Sequence, residues 1–162
     1  MPEPQYVSFN SWEEMQAYLE ANEAAANAHL VDTQKAITYG QLWVRFYDIA
    51  DRVIIFGKVM ELETVRAEEI RLGASAGEAA YTVKNVEERM ARNYLFGRCW
   101  SVIEPDGELG DTHASQVWPC SPALYDEAHR VGWRIDDMDP WAKAELQTLH
   151  IEMFAAMRGP HQ

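Results

Sequence analysis

The chain has 162 residues, 48% of them hydrophobic and 11% aromatic, which suits one domain with an ordinary core and excludes an intrinsically disordered composition. Its formal charge of −12 repels phosphates and anionic lipid, so direct nucleic-acid or membrane-surface binding is not expected. Two cysteines without a CxxC pair exclude a disulfide scaffold. The Met1-Pro-Glu-Pro-Gln5 start lacks the pattern of a signal peptide, and no run approaches the ~18 apolar residues of a membrane span, so a cytoplasmic location is expected.

In chain order, Ser11 and Glu14 have capping-box spacing and predict a helix over Trp12 to Ala28, with Met15, Leu19 and Tyr18 on a thin apolar side. The acidity is uneven, since residues 1 to 40 carry six acids against Lys35. Thr33 is placed to cap a short turn ending at Gly40. Leu42, Val44 and Phe46 then alternate with Trp43, Arg45 and Tyr47, a strand pattern that returns over Val53 to Met60 after a turn at Asp48 to Arg52. Gly57 marks an expected bulge in the second strand.

Leu62 to Leu72 reads as a charged amphipathic helix stopping at Gly73, and Gly77 to Asn93 as a second with Val83, Val86 and Met90 facing the core. Phe96 to Ile103 and Thr112 to Trp118 read as paired strands around the turn-rich Pro105-Asp106-Gly107 loop, for four main strands in all. Ser121-Pro122 and Asp139-Pro140 start two final helices. These elements predict an α+β fold, mainly an antiparallel sheet of about four strands with helices packed on it.

Chemistry-bearing signals are sparse. His29, His113, His129, His150 and His161 lack the short spacings of a metal site, and neither a GxGxxG loop nor a GxxxxGK motif is present, so no cofactor, metal or catalytic residue is assigned. If Glu104 pairs with Asp111, then Glu104, Asp111 and His113 gather at the end of the 96–118 hairpin, flanked by Asp106 and Glu108. Such a cluster serves either acid–base, metal or recognition chemistry or simply a hydrogen-bonded polar hairpin end. Cys99 reads as a small buried hydrophobe and Cys120, next to Pro119, as the more exposed thiol. In the last helix Leu146, Leu149, Met153 and Met157 share a face that Phe154 widens. That stripe either closes the core or docks a protein partner.

Trp43-Val44-Arg45-Phe46-Tyr47, Tyr94-Leu95-Phe96-Gly97-Arg98, the run from Ser101 to His113 and Ala128 to Trp133 together resemble a group of small actinobacteriophage (mycobacteriophage-like) accessory proteins, over about residues 40 to 135. The resemblance implies a phage origin and carries no reaction, cofactor or catalytic residue with it. The leading expectation is a non-enzymatic protein that binds a host or phage protein during infection in the host cytoplasm. A virion component, capsid-associated or head–tail joining and able to self-associate, comes second. An enzyme or metal site at residues 104–113 comes third.

Overall fold

The computed structural model describes residues 8–48 and 50–158, so the Met1-Pro-Glu-Pro-Gln5 start, position 49 of the first hairpin turn and His161 lie outside the described residues. Among these residues the order is α1 (Trp12–Ala28), α2 (Asp32–Lys35), β1 (Leu42–Asp48), β2 (Val53–Val59), α3 (Leu62–Arg71), α4 (Ala76–Ala91), β3 (Tyr94–Trp100), β4 (Glu108–His113), β5 (Trp118–Pro119), α5 (Pro122–Arg130) and α6 (Pro140–Arg158). All pairings are antiparallel, in the order β4-β3-β2-β1-β5. The α+β class holds, with a fifth strand added.

Helix starts follow local chemistry. Ser11, Ser75 and Ser121 each accept a backbone N–H three residues on, satisfying a donor that the first helical turn leaves open. Ser75 and Glu78 complete a capping box, so α4 begins at Ala76, one residue before the expected start. Thr33 caps nothing: α2 is preceded by Val31, whose N–H donates to the Gln34 side chain at 3.2 Å. The longer side chain reaches back where a threonine already inside the helix does not.

Register differs from expectation at two places. The irregularity in the first hairpin falls between Phe46 and Asp48, whereas Gly57 lies in regular pairing opposite Trp43. Gly57 is needed for space: a Cβ there would fall 2.1 Å from the Trp43 indole, which lies across the strand. The second hairpin starts earlier than expected, at Tyr94, because Asn93 adopts φ 69° and turns the chain directly out of α4. It also ends earlier. The Ser101 hydroxyl accepts the N–H groups of Ile103 and Glu104, pulling Val102 to Glu104 into a turn instead of a strand.

The expected strand from Thr112 to Trp118 is likewise broken, by a 3₁₀ turn at Ala114–Gln116. Its first residues belong to β4 and its last to β5, which pairs with the far edge at β1. The chain thus passes from one sheet edge to the other in four residues. A flat five-stranded sheet would hold those edges ~19 Å apart, about the reach of the fully extended connection, so with a 3₁₀ turn in it the sheet must curl.

One core lies where α5 and α6 cover Val44, Ile54, Phe56 and Trp118 with Leu124, Ala128, Trp133, Ala142, Leu146 and Met153. The other gathers Trp43, Val59, Leu95, Ala114 and Val117 with Leu30 and Ile37 on the opposite face. Within it Gln34 is 1% exposed; its Nε2 donates to the carbonyls of Ser115 (3.1 Å) and Val117 (3.3 Å), holding the edge-to-edge connection. α1, in contrast, buries no residue.

Gln34→Ala would leave these carbonyls and the Val31 N–H without partners, and is expected to cost about 3 kcal/mol. Gly57→Ala is expected to cost a similar ~3 kcal/mol by driving Trp43 from its seat. Both are measured by urea unfolding, and unchanged midpoints would refute the two assignments.

Candidate functional site

β4 separates the residues expected at the hairpin end. Observed pairs are Phe96 with Asp111, Tyr94 with His113 and Cys99 with Glu108, so Glu104 does not pair with Asp111 and Val102 does not face His113. Glu104 and Asp106 are exposed in the loop before β4, and the carbonyl of Glu104 accepts the N–H groups of Ser101 and Gly107. Glu104 and Glu108 line a shallow groove of about 270 Å³ with Tyr47, Ile55 and Cys99. Asp111 and His113 lie at the other end of the strand, so the acid–base trio does not assemble.

Each separated residue has its own partners. Asp111 is ion-paired with Arg89 of α4. His113 Nε2 lies 2.8 Å from Asn27 Oδ1, while Nδ1 lies 2.8 Å from Ser115 Oγ and accepts the Ser115 N–H at 3.1 Å. Asn27 Oδ1 also accepts from Asn93 Nδ2, which assigns the proton to Nε2, and the Ser115 N–H donated to Nδ1 leaves that nitrogen bare and the imidazole neutral. Burial lowers the His113 pKa, against a smaller opposing pull from Glu23. Arg92 donates twice to Glu23, at 2.7 and 2.5 Å, and those hydrogen bonds hold that carboxyl below its ordinary pKa.

These contacts tie α1 to the sheet and frame a groove of about 360 Å³ that includes Leu19, Glu23, Tyr94, His113, Ser115 and Gln116. No local pattern in the sequence marks Glu23, Asn27 or Ser115 as partners of this histidine. Asn27 and His113 meet across 86 positions of chain.

The final helix divides. Leu146 and Met153 are buried in the core and Leu149 packs partly against it, so the inner part of the stripe closes the domain and cannot serve as a surface. Phe154 is 42% and Met157 48% exposed. With Arg45, Phe46 and the exposed Tyr47 they border a third groove, about 320 Å³, that also includes Met153, Ser115 and Gln116. Because Ser115 and Gln116 line this groove and the one beside α1, those two form one band from α1 across the 114–116 turn to the end of α6.

The thiols reverse the expected order of exposure. Cys120 is buried, and desolvation pushes its pKa up to about 12; Cys99 is half-buried, with burial again raising it. Leu42 explains the first placement, since its carbonyl accepts the Cys120 N–H and draws the chain after β5 against the sheet. Among the described residues no group of three or more His, Cys, Asp or Glu side chains is placed to hold a metal ion, and no helix is long and apolar enough to cross a membrane.

His113 gives the domain a pH dependence of defined sign. The folded state keeps it neutral while the unfolded chain takes up a proton at the ordinary value of 6.5, so its contribution is present above that pH and is lost as pH falls below it. His113→Asn is expected to flatten the decline in unfolding free energy below pH ~6.5 and to lower stability at pH 7.5 by about 1 kcal/mol. A variant slope equal to that of the parent would refute the assignment. In comparisons with protein-family models, curated proteins and solved structures, the chain matches none.

Proposed function

We propose that this protein acts by binding another protein through the band from α1 to the end of α6, as a phage accessory protein that engages a host protein during infection. The observation that supports docking is the exposed aromatic and methionine rim of Tyr47, Phe154 and Met157 around a groove whose floor is already packed on the core. Rigid aromatic rings supply contact area at little entropic cost, and methionine adapts to the shape of an incoming side chain. The phage setting rests on the resemblance carried by residues 40 to 135.

Charge narrows the partner. Glu13, Glu14 and Glu20 are exposed along α1, on a chain of net charge −12. An amphipathic protein segment with apolar anchors for the α6 groove and basic residues for α1 complements this band. Long-range attraction of that kind speeds association and weakens with salt.

Affinity purification from expressing or infected cells, with the parent and a Tyr47→Ala/Phe154→Ala/Met157→Ala variant, tests the reading. A specific host protein is expected with the parent, and the variant is expected to retain the parent's circular dichroism while binding at least about tenfold more weakly, the equivalent of ~1.4 kcal/mol. Recovery of no host protein, together with stoichiometric presence in purified particles by mass spectrometry, would overturn it in favour of a virion component.

A further inference from the structure

Lys58 and Arg98 stand directly opposite each other in the β2–β3 register, on the face that also carries the adjacent pair Phe56 and Trp100. Like charges in that position repel and weaken a sheet. Seven arginines of this acidic chain form ion pairs among the described residues, yet neither Lys58 nor Arg98 does. Of the nearby acids, Glu68, whose carboxylate feels Arg98, takes two hydrogen bonds from Arg71, and Glu61 shares the groove without an ion pair to either cation, its carboxylate on the side toward Gly40.

The two cations border a groove of about 340 Å³ with Met60, Glu61, Thr64 and Trp100. Its walls are braced. Gly107, at φ 90°, lets the loop before β4 press so closely that a Cβ there would fall 2.9 Å from Arg98 Cδ and 2.5 Å from Trp100 Nε1. Trp133 stacks on Trp100 at 5.7 Å and 14°, fixing the ring from the core side. The Arg98 stem is therefore confined at Cδ and the Trp100 ring is fixed, which lowers the ordering cost of binding.

We propose that this groove binds the phosphate group of a small phosphate monoester. The anion would lie between the Lys58 ammonium and the Arg98 guanidinium, with Thr64 as a hydroxyl partner and the apolar part of the ligand along Met60 and Trp100. A phosphate carries nearly two negative charges at neutral pH and offsets both cations, where a carboxylate offsets one. Cationic side chains left facing each other in the free protein are relieved when the anion arrives. The site is separate from the docking band and does not depend on it.

Phenyl phosphate, inorganic phosphate and benzoate, compared with chloride at equal ionic strength on the full chain, test this by calorimetry and thermal unfolding. Phenyl phosphate is expected to bind best and to raise Tm. Lys58→Gln is expected to raise Tm in chloride, through relief of the like-charge pair, while weakening phenyl phosphate binding about tenfold; Lys84→Gln should leave binding unchanged. Parent protein that responds to phenyl phosphate no more than to chloride, or a Lys58→Gln variant that binds it as the parent does, would overturn the site. Benzoate binding as tight as phenyl phosphate would overturn the choice of phosphate.

Discussion

The arrangement depends on Trp43 lying across Gly57. An indole is too large to face a neighbouring side chain at the centre of a tightly curled sheet, so the strand opposite gives up its own side chain at that point. With the ring seated, Val59, Leu95, Ala114 and Val117 can gather around it, and the 114–116 turn can pass close enough to join the two edges. Gln34 satisfies the inward-facing carbonyls of Ser115 in that turn and Val117 just after it, which is why a fully buried amide belongs in an otherwise apolar cluster.

The two faces of the sheet are closed by different means. α5 and α6 close one by apolar packing, with Trp100, Tyr125 and Trp133 meeting at ring separations of 5.6–5.7 Å. α1 is attached beside the other sheet elements through Glu23, Asn27 and their polar partners, and leaves Trp12 68% exposed. The band offered to a partner therefore runs from a firmly packed helix to one held by directional contacts.

Much of this architecture was legible in the residues. Ser11, Ser121-Pro122 and the alternation from Leu42 to Tyr47 mark their elements because capping and strand pleating are local effects. The second hairpin departs from its sequence pattern for an equally local reason. Val102 and Ile103 continue the apolar pattern of β3 although both are exposed, and the 114–116 turn contains no glycine or proline to announce it. Most of the polar set around His113 was beyond reach, since apart from Ser115 it comes from α1 and from Arg92 and Asn93 after α4. In α6 the periodicity located the stripe, but only packing distinguishes buried Met153 from exposed Met157.

The short β5 has a further consequence for how the chain folds. The hairpins β1–β2 and β3–β4 close small loops, whereas Val44 must find Trp118 across most of the intervening chain. Loop-closure entropy makes that pairing the costliest in the sheet, and only two residues of strand compensate for it. Edge closure is thus a late event that draws on an already formed Trp43 core. Until it occurs, β1 presents an open edge to other chains, so crowding during synthesis is the stage at which this small acidic protein is most exposed to misassembly.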